Sequence, residues 1–132
     1  MLFRSEDELL DAARECGIGV VAFSPLAQGL LTNKYFGEIP EDSRAKSQSV
    51  FLTPESITAS KVEKAKRLNL VAEARGQSLA QMALAWILRR PEMTSVIIGA
   101  RTPWQIMDNL SALNNLSFAE EELRTIDDIL SE

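Results

Sequence analysis

The sequence predicts an α/β protein built around a parallel sheet, because two short apolar strands alternate with helical segments. Residues 19–23 and 95–98 are near-continuous apolar runs, a pattern typical of strands that are buried on both faces of a sheet. Helical segments precede, separate and follow these two runs. Strands that are separated by helices pair in parallel, and we therefore expect one parallel pair within the chain.

The first helix is predicted immediately before the first strand. Residues 5–8 (SEDE) have the spacing of a capping box, in which a serine hydroxyl and a carboxylate three residues later bind each other's backbone N–H groups. Leu9, Leu10 and Ala13 then form an apolar face, and the helix is expected to stop near Gly17.

Residues 36–52 are rich in glycine, proline, serine and charge, and they predict a long loop. The cap-then-proline order at Thr53 and Pro54 marks the start of a helix that should run to about Arg75, before Gly76. Its basic run at residues 61–67 is interrupted by a glutamate, so we interpret it as a solvated helix face rather than an anion-binding site.

Three more helix starts follow. Residues 78–81 (SLAQ) form a second capping box, and the helix that they open must end by Pro91. Residues 102–105 (TPWQ) open a helix after the second strand, and residues 117–120 open the last one. Two strands alone would leave both sheet edges unpaired. We expect another chain, or more of a larger protein, to complete the sheet, and favour the larger protein.

Composition excludes several classes of function. The chain has 132 residues, a net charge of -5 and no histidine, which argues against a nucleic-acid footprint and removes the usual zinc sites and histidine-dependent triads. Cys16 is the single cysteine and is expected to be a buried filler at a helix end. No apolar run approaches a membrane span and no signal-peptide pattern opens the chain, so we expect a cytoplasmic protein.

Both strands end in a turn of small residues followed by a helix start. Ser24 and Gly29 mark the first turn, and Gly99 marks the second. The N–H groups and dipole of a helix N-terminus suit phosphate. Lys34 and Arg44 follow the first turn, and Arg101 lies in the second. A polyanion site is one interpretation. The alternative is that serine-proline and glycine simply stop the strands, and that Gln105 is a capping partner of Thr102.

Four ordered blocks resemble the C-terminal part of an aldo-keto reductase, nearest the branch of L-glyceraldehyde 3-phosphate reductase and the potassium-channel β subunits. The blocks are GIGVVAFSPLAQGLLTNKY, IPEDSR, GQSLAQMALAWIL and TSVIIGARTPWQIMDNLSALNNLSF. The resemblance implies a (β/α)8 TIM barrel, in which the two predicted strands are the seventh and eighth, and it covers nearly all of residues 1–132.

The resemblance also implies an NADP site at the ends of these strands, where barrel enzymes hold phosphate. The residues that match the family's cofactor contacts are Phe23, Ser24, Pro25, Leu26, Ala27, Gln28, Lys34, Arg44, Gly99, Arg101, Gln105, Asp108 and Asn109. Arg101 stands where many relatives carry serine, and a guanidinium suits a 2′-phosphate. Asp108 is shorter than the common glutamate, and Trp104 is interpreted as a partly exposed helix-start residue.

The resemblance implies that the chain contains no catalytic residues of the family. Aldo-keto reductases use a tyrosine, lysine, aspartate and histidine from the first half of the barrel to reduce carbonyl compounds with NADPH. Tyr35 is not a substitute, because it aligns with the cofactor loop. We expect a carbonyl reductase whose isolated C-terminal part is inactive and self-associates or needs the missing barrel half. The alternative is a non-catalytic nucleotide-sensing or partner-binding subunit.

Overall fold

The computed structural model describes residues 8–41, 43 and 53–132. Its helices and strands are α1 (Leu10–Glu15), β1 (Val20–Phe23), α2 (Ala59–Ala74), α3 (Leu79–Leu88), β2 (Met93–Ile97), α4 (Pro103–Leu110) and α5 (Glu120–Ser131). Short 3₁₀ turns occupy Ala27–Gly29, Asn33–Tyr35, Pro54–Ser56 and Ser111–Asn114. The predicted order of elements is confirmed. Residues 5–7 of the predicted capping box and part of the predicted loop, including Arg44, lie outside the described residues.

The two strands pair in parallel, as predicted. Val20 lies opposite Met93, but Val21 lies opposite Ser95, so Thr94 is an extra residue that bulges from β2. The second strand therefore begins two residues earlier than predicted. Gly19 precedes the bulge, and a Cβ atom there would overlap Thr94 Oγ1 and lie 3.3 Å from Thr94 Cβ. The absence of a side chain at residue 19 lets this threonine approach the backbone closely.

The sheet has one covered face and one open face. Val20, Ala22 and Val96 pack against the main apolar core. On the other face, Phe23 and Ile97 lie opposite each other and are 68% and 62% exposed. Large apolar side chains that are exposed together on one face of a sheet indicate that this face packs against a further layer.

Helix α3 is the centre of the core. Ser78 accepts a hydrogen bond from the backbone N–H of Gln81, and the Gln81 side chain accepts one from the backbone N–H of Ser78, as the predicted capping box requires. Leu79, Met82 and Trp86 of this helix are buried in the main apolar core, which also contains residues of α2 and α5. The helix ends at Leu88, which agrees with the limit set by Pro91.

The predicted start of α2 is wrong by about five residues. Pro54 opens only a 3₁₀ turn, after which Ile57 leaves the helical region with φ -91° and ψ 79°. The α-helix restarts after Thr58, whose hydroxyl accepts from the backbone N–H of Lys61 at 3.3 Å. Thr53 caps the 3₁₀ turn and Thr58 caps α2, so the segment that the sequence predicted as one helix forms two separate elements.

The basic run of α2 is not only a solvated face. Lys64 Nζ donates to the Leu130 carbonyl oxygen at 3.0 Å, and the Arg67 guanidinium binds the Glu132 carboxylate. This hydrogen-bonded pair raises the pKa of Arg67 and lowers that of Glu132. Two cations therefore hold the carboxyl end of α5, where the helix dipole favours positive charge.

Three smaller expectations are also wrong. The last helix begins at Glu120 rather than near Ser117, and the Glu122 carboxylate accepts from the backbone N–H of Ala119 at 2.6 Å. Cys16 is exposed because it caps the end of α1, beyond the last buried residue of that short helix. Leu9, which was expected on the apolar face of α1, is also exposed.

No helix of the described ranges is long and apolar enough to cross a membrane.

A buried carboxylate joins α1 to the start of β2. The Glu92 side chain is 2% exposed and binds Arg14 at 3.2 Å and Arg90 at 3.4 Å. Its pKa is lowered, first by a hydrogen bond from its own backbone N–H and then by the two arginine charges. The pair of strands is thus anchored at the end that lies away from the predicted site.

Candidate functional site

A large cleft opens at the carboxyl ends of the two strands, with a volume of about 1110 Å³. Its walls are the loop after β1, the turn after β2 and the first turns of α3 and α4. The predicted residues that line it are Phe23, Ser24, Pro25, Leu26, Gln28, Lys34, Gly99, Arg101, Gln105, Asp108 and Asn109. Ala27 does not line the cleft although it shapes the loop, and Arg44 lies outside the described residues.

The loop after β1 has an unusual backbone. Ser24, Ala27 and Gln28 have φ values of 52°, 46° and 58°, although none of them is a glycine. The amide of Ala27 donates to the Ser24 carbonyl at 3.0 Å, and the amide of Gly29 donates to the Leu26 carbonyl at 2.9 Å. Left-handed conformations of such residues cost free energy and cluster at ligand sites. The loop is therefore held in one specific shape.

Thr32 fixes where the lysine of this loop lies. Its Oγ1 donates to the Gly29 carbonyl at 2.6 Å and accepts from the Lys34 amide at 3.1 Å. Lys34 consequently lines the cleft, whereas Tyr35 is only 2% exposed and packs with Leu30 in a separate apolar cluster. This arrangement supports the exclusion of Tyr35 as a proton donor. The sequence did not single out Thr32, although a threonine before Asn-Lys is a cap signal.

The turn after β2 uses Gln105 differently from the predicted capping box. The backbone N–H of Gln105 donates to Thr102 Oγ1 at 3.2 Å, as expected for a cap. The Gln105 side-chain oxygen, however, accepts from the backbone N–H of Arg101 at 2.7 Å instead of from Thr102. Gln105 therefore orients the residue that carries the guanidinium. Trp104 is largely exposed at the helix start, as predicted.

Asp108 and Asn109 form the inner wall on α4. Asn109 is only 9% exposed although it lines the cleft. Asp108 is bound by the side chain of Gln81, which sequence reasoning assigned only to a helix cap. Other residues that the prediction missed, and that line the cleft, are Thr32, Asn33, Asn69, Ser78, Leu79, Ala80, Ile97, Ile98, Ala100, Thr102 and Trp104, with Gly29 in the loop.

The chemistry of the cleft suits an extended anionic ligand. Lys34 and Arg101 bring positive charge from the segments that follow the two strands, and hydroxyl and amide side chains also line the cleft. The apolar side chains of Phe23 and Ile97 offer a surface for a ring. Among the described residues, no group of three or more histidine, cysteine, aspartate or glutamate side chains is arranged to hold a metal ion.

The arrangement of strand ends, loops and following helices is that of part of a (β/α)8 barrel. The chain belongs to the aldo/keto reductase family, whose model matches residues 1–131. It is 48% identical over 122 residues to the L-glyceraldehyde 3-phosphate reductase of Escherichia coli K12, covering 90% of this chain and 35% of that protein. It is 36% identical to a putative voltage-gated potassium channel subunit beta of Schizosaccharomyces pombe, covering 96% of this chain and 38% of that protein.

A solved structure gives the same assignment. The glycerol dehydrogenase AKR11B4 of Gluconobacter oxydans matches with a TM-score of 0.75 and 27% identity, covering 97% of this chain and 38% of that one. The family and this likeness imply a (β/α)8 barrel, of which β1 and β2 are two parallel strands. The chain spans little more than a third of the length of the relatives that it matches.

Proposed function

We propose that this chain is the NADP(H)-binding C-terminal part of an aldo-keto reductase that reduces aldehydes or ketones. The observation that carries the proposal is the single cleft that gathers nearly all of the predicted cofactor contacts from two distant parts of the sequence. Cationic side chains, hydroxyls and a buried amide are the donors that a phosphorylated dinucleotide requires. The volume of the cleft, about 1110 Å³, is slightly larger than that of most small-ligand sites, which suits a ligand as long as a dinucleotide.

Each part of the cleft has a task in this proposal. The fixed loop after β1 brings its backbone close to the pyrophosphate, and Lys34 balances the charge. Arg101, whose backbone is held by Gln105, takes the 2′-phosphate. Asp108 and Asn109 face the adenosine. Bound NADPH would supply the hydride, while the proton donor and the carbonyl-binding residues belong to a part of the family fold that this chain does not match.

The test is binding of NADPH and NADH to the complete protein that contains this chain, measured by calorimetry. Arg101→Ala should weaken NADPH by about 10-fold or more, as expected for a lost hydrogen bond to a charged group, and should weaken NADH far less. Lys66→Ala is the control, because Lys66 is exposed on α2 and lies outside the cleft. Equal losses for both cofactors would show that Arg101 does not read the 2′-phosphate.

The second candidate is a non-catalytic nucleotide-sensing or partner-binding subunit. It is favoured by the likeness to channel subunits named beta, at 36% identity over 132 residues. Carbonyl-dependent oxidation of NADPH by the complete protein distinguishes the two candidates. Turnover supports the reductase, and tight NADPH binding without turnover on a panel of carbonyls supports the subunit. We expect the 132 residues alone to be inactive and to be marginally stable or to self-associate, because both edges of the two-stranded sheet lack a partner strand within the described residues. The cytoplasmic location also stays a prediction.

A further inference from the structure

Gln81 links the start of α3 to the wall of the cleft. Its side-chain Nε2 donates to Asp108 Oδ1 at 2.9 Å and to the Asp108 carbonyl oxygen at 3.1 Å. Its Oε1 accepts from the backbone N–H of Ser78 at 3.0 Å. One amide thus serves two different purposes, a helix cap with its oxygen and a contact between helices with its nitrogen.

The helix cap does not by itself call for a glutamine. A capping box needs only an acceptor at this position, and glutamate supplies one as well as glutamine does. A carboxylate would, however, have no proton to donate and would face the negative charge of Asp108. The amide nitrogen is therefore the part of Gln81 that the contact with Asp108 requires.

Asp108 has one carboxylate oxygen in use and one available. Oδ1 accepts from Gln81, while no hydrogen bond to the second oxygen occurs within the described part of the chain. Asp108 lines the cleft beside the nearly buried Asn109. The terminal torsion of an aspartate is broad when nothing holds it, so the bond from Gln81 decides which way the second oxygen faces.

We propose that Gln81 is a positioning residue that orients Asp108 so that its second oxygen accepts a hydrogen bond from the ligand. The cleft then selects a ligand with a donor at this point, such as the exocyclic amine of adenine, over one with an acceptor there. This inference rests on the proposed dinucleotide function. It goes further because it assigns base discrimination to a residue of α3 whose sequence signal is that of a cap.

The test compares NADP⁺ with its hypoxanthine analogue, in which the adenine amine is replaced by a carbonyl acceptor. The readout is the ratio of the two dissociation constants in the complete protein. That ratio is insensitive to the fraction of folded protein, so a purely structural role of residue 81 would leave it unchanged. The unmodified protein should prefer adenine by about tenfold, the factor that one such hydrogen bond supplies.

Three variants make the orientation visible. In Asp108→Asn, Gln81 still donates to the oxygen at residue 108, so the new amide nitrogen faces the ligand and the preference should reverse toward hypoxanthine. In the double variant Q81E/D108N the new carboxylate accepts from that nitrogen, and the amide oxygen faces the ligand. The adenine preference should then return. Gln81→Glu alone keeps the cap but repels Asp108, and its ratio should fall toward one.

The outcomes separate the inference from the function on which it rests. If D108N and Q81E/D108N show the same base preference, residue 81 does not orient residue 108 and the inference fails, even if both dinucleotides bind well. If the unmodified protein binds neither dinucleotide, the proposed function fails and the inference falls with it. Opposite preferences in those two variants support the inference, because they differ only at residue 81.

Discussion

Arg75 provides the sharpest test of how the helices are joined. Its side chain is 3% exposed and lies at the end of α2. The guanidinium binds Glu122 at 2.8 Å, the Gln77 side chain at 3.0 Å and the Ser117 carbonyl at 2.9 Å, and it lies 3.7 Å from the centre of the Phe118 ring. One side chain therefore connects α2 with the loop before α5 and with α5 itself.

The size of the effect of Arg75→Ala follows from what the change leaves behind. Breaking a buried ion pair costs about 3–5 kcal/mol when the remaining charge has no partner. Glu122 is 30% exposed and keeps the hydrogen bond from the Ala119 amide, so its loss is smaller. The Ser117 carbonyl loses its donor, and the contact with Phe118 disappears. We expect a loss of about 3 kcal/mol in the free energy of unfolding.

The assay is urea denaturation of the complete protein, followed by circular dichroism. Arg124→Ala is the matched control, because Arg124 also forms an ion pair with a glutamate but is 71% exposed. Exposed pairs contribute at most about 1 kcal/mol. The loss in the free energy of unfolding for Arg75→Lys should lie between those of R75A and R124A, since lysine retains the charge without the planar set of donors. If R75A and R124A lower the free energy of unfolding by the same amount, the Arg75 guanidinium does not hold α2 and α5 together.

Two further changes test the base of the sheet. Gly19→Ala should cost about 1–3 kcal/mol, because the added methyl group meets Thr94. Gly37→Ala should be nearly neutral, because no atom of the described residues, its chain neighbours aside, lies within 4 Å of its Cβ position. The denaturation midpoints of the two variants check this, and equal midpoints would contradict it. Because folding lowers the pKa of Glu92, this carboxylate contributes fully to the free energy of unfolding above its ordinary pKa of 4.5. The contribution is lost as the pH falls through the lowered value. Glu92→Gln should therefore flatten the acid side of the stability profile, and an unchanged profile would rule out this carboxylate.

Local signals made much of the fold predictable. The serine and glutamine of the second capping box act within one helical turn, as do the threonine that precedes α4 and the proline that begins it, and all four were correctly interpreted. The failure at α2 arose where two caps compete, because Thr53 and Thr58 give the same signal. The burial expected for Cys16 was wrong because the sequence does not show that α1 ends before that residue meets the core.

The site was predictable as a set of residues but not as a geometry. Family motifs pointed to both strand ends, and the structure brings these ends into one cleft. The sequence does not predict the left-handed backbone at Ser24, Ala27 and Gln28, because residues in such conformations are usually glycine or asparagine. The reach of Gln81 to Asp108 depends on how α3 and α4 pack, which no local rule specifies.

The bulge at Thr94 separates two ends of the sheet that can vary independently. The extra residue lies directly after the first pair of the two strands. The following residues pair one to one as far as Phe23 and Ile97. The loops that form the cleft therefore depart from the same level whatever happens at the base. Insertions near Thr94 should consequently be tolerated better than insertions between Val21 and Phe23, where a one-residue shift would move every later side chain to the other face and displace one wall of the cleft.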